Sequence, residues 1–191
     1  MPESEIVAIT DENVVSLACR GNPEAFSHLY EKNVTRIYNY IYYRIGSASD
    51  AEDITSRVFY RAFGHINSYV EKGVPFSAWL YRIAHNLIAN WHRDSLRRKE
   101  VPLEDHLELP HRADQPEKML EKNQETELLL KGIRKISSDR QQLILLKYLE
   151  NLSNAEIAQI MGRSEGAIKS LYHRALLSLR VEMEEIGYRS E

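Results

Sequence analysis

The spacing of apolar residues is the feature that most constrains how this chain can fold. In three stretches between residues 26 and 91, apolar side chains recur every three or four positions, as they do along one face of an α-helix. The most regular of these stripes comprises Phe76, Trp79, Leu80, Ile83, Ala84, Leu87, Ile88 and Trp91. No convincing strand-like alternation of apolar and polar residues occurs. The sequence therefore predicts an all-α fold in which these three helices share one core.

Residues that favour helix ends indicate where the helices begin and stop. Asn22 followed by Pro23 predicts the start of the first long helix, and Gly46 predicts its end. In a capping box, a serine is followed three positions later by Glu or Gln. This pattern predicts three further helix starts: Ser49 with Glu52, Ser138 with Gln141, and Ser153 with Glu156.

A change in composition after the third helix predicts a domain boundary. Residues 100–127 contain nine acids and three bases, a balance of −6, and also Pro102, Pro110 and Pro116. Such a segment is typical of a linker rather than of a packed element. We therefore expect two small helical domains joined by a flexible acidic linker. The predicted parts are an N-terminal extension at 1–21, a helical bundle at 22–99, the linker at 100–127, a second helical domain at 128–185 and a tail at 186–191.

Residues 153–180 have the pattern of a helix-turn-helix. Ser153 caps a short helix, Gly162 is placed to end it, and Ser164 is a candidate N-cap for a second helix. That second helix would be buried through Ile168, Leu171, Ala175, Leu176 and Leu179. Its outward residues are then Glu165, Lys169, Ser170, His173 and Arg174. A basic outward face is what a recognition helix in the major groove needs, although a helical hairpin packed on another helix would show the same spacing.

Charge is segregated along the chain, although the net charge is only −3. Residues 79–99 have five bases and one acid, a balance of +4, and residues 163–180 have four bases and one acid, a balance of +3. In the first block aromatic and basic residues alternate, a combination that suits single-stranded DNA because bases stack on rings while cations follow the backbone. Phe76 and Trp79 lie on the apolar stripe and are expected in the core. The better candidates for DNA contact lie off that stripe: Arg82, Asn86, Asn90 and Arg93.

Several classes of protein are disfavoured by what the sequence lacks. No apolar run is long enough for a membrane span, and the acidic N-terminus does not resemble a secretory signal, so we expect a cytoplasmic protein without membrane insertion. The single cysteine, Cys19, suits a reducing compartment and is expected to be a small buried side chain. The chain has no zinc-protease, Walker or GxSxG motif and no histidine spacing for a metal, so neither catalysis nor a cofactor is predicted.

Four blocks, taken in order, resemble the extracytoplasmic-function (ECF) sigma factors of bacterial RNA polymerase. FSHLYEKNVTRIYNYIY, DAEDITSRVFYRAF and FSAWLYRIAHNLIANWHRDSLRR are similar to successive helices of their region 2. SSDRQQLILLKYLENLSNAEIAQIMGRSEGAIKSLYHRALLSLR is similar to their region 4. The resemblance covers most of the chain from Phe26 to Arg180.

The resemblance implies a subunit that binds core RNA polymerase, melts the minus-ten element of a promoter and reads the minus-thirty-five element. Polymerase docking would fall on Asp50, Glu52, Asp53, Ser56 and Arg57, although the family commonly has Gln-Glu where this chain has Ser56 and Arg57. Melted DNA would be bound by Asn67, Ser68, Tyr69, Lys72, Arg82, Asn86, Asn90, Arg93, Arg97 and Arg98. Duplex DNA would be bound by Arg163, Ser164, Glu165, Lys169, Ser170, His173 and Arg174.

Two further matters are open from the sequence. Many members of the family are held by an anti-sigma factor, and the sequence neither requires nor excludes one. A DNA-binding regulator with a ligand-sensing N-terminal domain would share the helix-turn-helix. It would leave the basic helix at 79–99 without a role.

Overall fold

The computed structural model describes residues 9–70, 75–99 and 117–187, with side chains described up to residue 95 and again from residue 125. These residues form helices and turns with no strand, so the prediction of an all-α fold is confirmed. The helices are α1 (Val14–Cys19), α2 (Pro23–Ile45), α3 (Ala48–His65), α4 (Phe76–Lys99), α5 (Glu117–Lys135), α6 (Ser138–Tyr148), α7 (Asn154–Met161) and α8 (Glu165–Glu185). A single 3₁₀ turn, Ile66–Ser68, follows α3.

The N-terminal bundle forms because the apolar stripes of α2, α3 and α4 meet on one another. Ile37, Ile54, Val58, Leu80 and Ala84 are each fully buried in this shared core. The prediction of three helices around one core is therefore confirmed. Burial of an Ile, Val or Leu side chain contributes roughly 1.5–3 kcal/mol to folding.

Two aromatic residues depart from the predicted stripes. Phe63 is 58% exposed and Tyr30 is 43% exposed, although both were expected to face the core. Each lies at the edge of the bundle, where its ring packs edge-on against a neighbour: Phe63 on Phe26 and Tyr30 on Phe59. The apolar stripe on each helix is wider than the surface that the neighbouring helix covers. Residues at the edge of the stripe, such as these two, therefore remain partly exposed to solvent.

Helix α1 lies in the segment predicted as an N-terminal extension, where the sequence did not predict a helix. Val14 and Ala18 are buried against Ala25 and Leu29 of α2 and against Ile66. Cys19, expected to be buried, is half-buried at the end of α1. Six residues are too few for helical periodicity to be informative, so tertiary packing decides this helix.

The helix ends agree with the sequence at α2 and differ at two other helices. Asn22 caps α2 by accepting a hydrogen bond from the Ala25 amide (2.8 Å), and Gly46 ends it with φ 78°. Helix α3 is capped by Ser47 rather than by Ser49, with Ser47 Oγ 3.4 Å from the Asp50 amide nitrogen.

The capping box predicted for α6 is also wrong. Ser137 occupies the N-cap position, without a side-chain capping bond. Ser138 Oγ instead accepts a hydrogen bond from Arg44, and the Gln141 amide donates to the carbonyls of Arg134 and Ile136 at 3.0 and 2.8 Å. Contacts with other elements thus engage both side chains of the predicted box.

The C-terminal domain consists of α5 to α8, with α8 packed against α5, α6 and α7. Helix α5 spans Glu117–Lys135, in agreement with the helical pattern that the sequence shows from about Glu117 to Ile136. The last part of the acidic segment assigned to the linker, residues 117–127, is therefore helical. Gly132 of α5 lies close to Met183 of α8, and a Cβ atom there would come within 2.7 Å of the Met183 sulfur. Residues 100–116 of the predicted linker lie outside the described residues.

The two domains pack directly against each other. Helix α5 contacts α2, and α7 contacts α4. Apolar residues of both domains belong to one continuous buried cluster. This arrangement was not predicted from the sequence.

Candidate nucleic-acid interfaces

Helix α4 presents a polar face beside its buried stripe. Arg82, Asn86 and Arg93 are exposed on that face, and Asn90 is half-buried. Arg93 Nη2 donates to Asn90 Oδ1 at 3.1 Å, which links two of the predicted DNA-contacting side chains. The side chains of Arg97 and Arg98, also predicted to contact DNA, lie outside the described residues.

A cavity of about 780 Å³ opens next to this face. Tyr69 and Trp79 line it, with their ring centroids 5.1 Å apart, and the Tyr69 ring also packs against Phe76 at 5.4 Å. Arg82 and Asn86 contribute polar groups to its wall. An aromatic floor with cationic and amide groups around it is suited to an unstacked base and its phosphate.

The residues around the cavity agree only in part with the predicted set. Ser68 and Tyr69 line it, whereas Asn67 is exposed and is not among the lining residues. Ser68 Oγ donates to the His65 carbonyl at 2.8 Å. Lys72 lies outside the described residues. Trp79, which was expected to be a core residue, is half-buried, packs on the core and also lines the cavity.

Sequence reasoning missed three polar residues of this cavity. Arg61 and His65 reach it from the end of α3, and Gln159 reaches it from α7 in the other domain. Arg61 was recognisable as an exposed base on the polar face of α3. No sequence signal identifies Gln159, because its position depends on how the two domains dock.

The helix-turn-helix forms as predicted. Both bonds of the capping box are present: the Ser153 amide donates to Glu156 Oε2 at 2.8 Å, and the Glu156 amide donates to Ser153 Oγ at 3.2 Å. Those bonds to Ser153 lower the pKa of the Glu156 carboxyl. Gly162 ends α7 with φ 65°, a left-handed conformation that favours glycine. Ser164 caps α8 by accepting a bond from the Ala167 amide at 3.2 Å.

Helix α8 keeps its predicted outer face free of the core. All seven predicted residues from Arg163 to Arg174 are exposed, while Ile168, Leu171 and Ala175 are buried beneath them. Leu176 departs from the prediction, since it is 38% exposed.

The polar partners of that face lie within the C-terminal domain. Lys169 pairs with Glu165 at 3.3 Å, and Arg174 Nε donates to the Ser170 carbonyl at 3.3 Å. Arg163 pairs with Asp139 of α6. Exposed ion pairs of this kind are weak, so phosphates can compete for the same cations.

The predicted polymerase-docking residues form one polar strip on α3. Glu52, Asp53, Ser56 and Arg57 are exposed and Asp50 is half-exposed. Arg57 Nη1 lies 3.6 Å from Asp53 Oδ2, one helical turn away, and Ser56 Oγ donates to the Glu52 carbonyl at 3.0 Å. The basic residue therefore pairs with one of the acids of the same strip.

A buried arginine and its polar partners lie where the two domains meet. Arg44 is 2% exposed, and its guanidinium lies within hydrogen-bond distance of Tyr40 Oη (2.9 Å), His85 Nδ1 (3.1 Å) and Ser138 Oγ (2.5 Å). Burial, together with the Arg44 charge and against the opposing effect of Asp139, lowers the pKa of His85 to about 4. His85 is therefore neutral at pH 7 and can accept a hydrogen bond from Arg44.

Comparison with protein families identifies both domains. The Sigma-70 region 2 family matches residues 29–98, and the Sigma-70, region 4 family matches residues 126–179. The first match contains α4 and most of its cavity, and the second contains the helix-turn-helix.

Two curated proteins are similar along most of the chain. The ECF RNA polymerase sigma factor BldN of Streptomyces coelicolor is 37% identical over 166 residues, which is 87% of this chain and 63% of BldN. The chain thus spans less than two thirds of that relative's length. The ECF RNA polymerase sigma factor SigW of Bacillus subtilis is 30% identical over 179 residues, which is 87% of this chain and 93% of SigW.

Two solved structures share the fold. CnrH, in complex with the cytosolic domain of CnrY, superposes with a TM-score of 0.68 at 20% identity, covering 92% of this chain and 97% of CnrH. RpoE of Bartonella quintana, in complex with the anti-sigma factor NepR, gives a TM-score of 0.63 at 21% identity, covering 85% and 98% of the two chains. None of the helices in the described residues is both long and apolar enough to cross a membrane.

Proposed function

The chain belongs to the ECF sigma factors, which direct promoter-specific initiation by RNA polymerase, and on that basis we propose which of its residues engage each part of the promoter. Such a factor performs no covalent chemistry, because polymerase is the catalyst. It acts in the cytoplasm, where polymerase meets the chromosome.

The cavity beside α4 is the single observation that carries the proposal. Tyr69 and Trp79 offer ring faces to a base that has left the duplex, while Arg82 and Arg61 can neutralise its phosphates. Flipping a base costs a few kcal/mol of stacking, and a ring in the pocket offsets part of that cost. We therefore assign minus-ten melting to this cavity and to the polar face of α4.

We assign minus-thirty-five recognition to α8. Lys169, His173 and Arg174 are exposed on a helix that follows a short capped helix and a tight turn, which is the geometry of a recognition helix. Lys169 and Arg174 can reach phosphates or base edges once their intrahelical contacts are released.

Runoff transcription with purified core polymerase tests the assignment as a whole. We expect the protein to bind core polymerase and to initiate from promoters of its own genome. If the protein neither binds core polymerase nor initiates from any of these promoters, the proposed function is excluded.

Permanganate footprinting of melted thymines tests the cavity. The variant Arg82→Ala is expected to lower the open-complex signal about tenfold, because a phosphate contact is lost where the strand separates. Arg20→Ala removes another exposed arginine, just after α1, and should leave the signal unchanged. Equal footprints for the two variants would remove Arg82 from the melting surface.

The strip on α3 and an inhibitory partner complete the proposal. We place core-polymerase docking on the strip from Asp50 to Arg57.

RpoE of B. quintana was solved with an anti-sigma factor, and we extend that mode of control to this chain. Affinity capture of the full chain from its own cells, followed by mass spectrometry, should recover core polymerase subunits together with such an inhibitor.

A further inference from the structure

The three cations on the outer face of the helix-turn-helix each have a partner within the C-terminal domain. Lys169 pairs with Glu165 one helical turn earlier at 3.3 Å, and Arg174 Nε donates to a backbone carbonyl of the preceding turn at 3.3 Å. Arg163 differs from both, because its partner Asp139 lies on another helix, 24 positions earlier in the chain. The ion pair therefore joins the turn of the helix-turn-helix to the start of α6.

Arg163 stands at the entrance to the recognition helix. It follows Gly162, which ends α7, and it precedes Ser164, whose hydroxyl caps α8. Groups at the N-terminus of a recognition helix contact phosphates of the DNA backbone as well as base edges. An arginine in this place can bind a phosphate, a contact that strengthens binding to DNA of any sequence.

Asp139 brings a negative charge to the same place. It lies in the first turn of α6, and its carboxylate accepts a hydrogen bond from Arg163 Nη2. The Arg163 side chain is 41% exposed and the Asp139 side chain is 43% exposed, so a phosphate can reach the pair and compete with the carboxylate. Both residues belong to the C-terminal domain, and their contact does not depend on how the two domains are docked.

A phosphate contact by Arg163 requires the pair with Asp139 to be broken. On a correct minus-thirty-five element, base contacts fix α8 in the groove and hold a phosphate against the guanidinium. On another sequence the base contacts are lost, phosphates alone hold the complex, and the carboxylate remains a competitor for Arg163. The pair therefore weakens binding to a wrong sequence more than binding to the right one, and specificity is this difference between two affinities.

We infer that Asp139 is a specificity-determining residue of the minus-thirty-five site, which acts by holding Arg163 away from the phosphates of DNA with another sequence. The inference rests on the proposed function, because it takes α8 as the helix that reads the duplex. Glu165 engages Lys169 in the same way within α8. Together the two carboxylates offset most of the charge of the three cations on this face.

The test uses holoenzyme assembled with core polymerase and two promoter fragments, one with its native minus-thirty-five element and one with that element scrambled. Asp139→Asn removes the charge and nearly keeps the shape of the side chain. In about 0.1 M salt, affinity for the scrambled fragment should rise about fivefold, and the slope of log affinity against log salt should steepen by about one, because Arg163 is released to bind a phosphate. Affinity for the native fragment should change less than twofold. Fluorescence polarisation across a salt series measures these quantities.

Three further variants separate an effect through Arg163 from a change in net charge. Glu184→Gln removes a carboxylate of α8 that pairs with Arg180, and it should change neither affinity. Asp139→Glu keeps the charge and should keep the discrimination between the two fragments. In a protein that already carries Arg163→Ala, Asp139→Asn should have no additional effect, because the coupling between two contacting residues vanishes when one of them is absent.

Circular dichroism establishes that each variant is folded. An unchanged affinity of folded Asp139→Asn for the scrambled fragment would overturn the inference. An equal rise for both fragments, or a rise that persists without Arg163, would overturn it as well, since Asp139 would then act on DNA directly. A wild-type holoenzyme that binds the two fragments equally would contradict the assignment of α8 to the minus-thirty-five element, and the inference would fall with that assignment.

Discussion

The two proposed DNA-binding regions differ in shape and in what surrounds them. The face of α8 is convex and exposed, and within the described part of the chain its cations pair with groups of the C-terminal domain. The site beside α4 is concave, aromatic and partly covered by α7. A duplex can be read by a helix that stands out from the protein, whereas a separated strand needs rings and cations placed around it. This difference fits the two tasks that we propose, the reading of a duplex by α8 and the binding of a separated strand beside α4.

The largest expected effect is the loss of promoter binding when cations of α8 are removed. Replacing Lys169 and Arg174 together by alanine should weaken promoter binding by holoenzyme about 100-fold and reduce the slope of log affinity against log salt by about two, because two cationic contacts are removed. Fluorescence polarisation across a salt series measures both quantities. Arg180→Ala, on the same helix but paired with Glu184, serves as the control and should have little effect. A loss of melting without a loss of binding would contradict the assignment of α8.

The second prediction concerns the concave site. Tyr69→Ala should lower the rate of open-complex formation about tenfold while leaving closed-complex affinity nearly unchanged, because a base–ring stack contributes roughly 1–3 kcal/mol. Tyr69→Phe keeps the ring and should behave almost as the wild type. Stopped-flow fluorescence from a base analogue in the minus-ten element follows this step. Equal rates for the alanine and phenylalanine variants would show that the ring does not stack.

The third prediction concerns the boundary between the regions. Because the pKa of His85 is lowered to about 4 in the folded chain from about 6.5 in the unfolded chain, the unfolded chain binds the proton more readily between these values. The contribution of His85 is therefore complete above pH 6.5 and is lost as the pH falls towards 4. It amounts to about 1 kcal/mol after allowance for solvent screening of this half-buried group.

Urea unfolding from pH 7 to pH 4.5 measures this loss of stability. His85→Asn removes the titrating group but keeps a hydrogen-bond acceptor for Arg44, so its stability should decline less steeply with acid. The pKa of His92 is also lowered, by burial and by Arg44. Because His92 is present in both proteins, its contribution cancels when their unfolding free energies are compared at each pH. Parallel declines for the two proteins would show that His85 is not the responsible group.

The smallest expected effect concerns polymerase docking, which only region 2 supports in this proposal. Arg57→Glu breaks the pair with Asp53 and places an acid where the family commonly has one, so affinity for core polymerase should rise about threefold, in keeping with the small energy of exposed pairs. Competition binding against a labelled sigma factor measures it, with Arg20→Glu as the matched control. Weaker binding of Arg57→Glu would mean that Arg57 itself contacts polymerase.

Local sequence signals predicted the helices and their ends well where the stabilising contacts are also local. The cap at Asn22, the capping box at Ser153, the left-handed Gly162 and the cap at Ser164 involve residues three or four positions apart, so their patterns are visible in the sequence. The predictions failed at Ser138 and Gln141, because Arg44 and the end of α5 provide partners from elsewhere in the chain.

In the candidate sites, too, the sequence revealed only what depends on residues close together in the chain. The exposed face of α8 follows from the position of Lys169 and Arg174 on a single helix. The cavity combines Tyr69 and Trp79 with Gln159, about 80 to 90 positions later, and no periodicity connects them.

The sequence by itself determined an all-helical chain with a bundle, a helix-turn-helix and basic faces on α4 and α8, because helical periodicity, capping and charge act over a few residues. Only the tertiary structure decided that α7 lies over the cavity and that Glu150 and Arg44 are buried between the domains. Docking depends on the shape and polarity of two surfaces, each built from residues that lie far apart in the sequence. The accessibility of the cavity beside α4 is therefore a property of the docked pair and not of either domain alone.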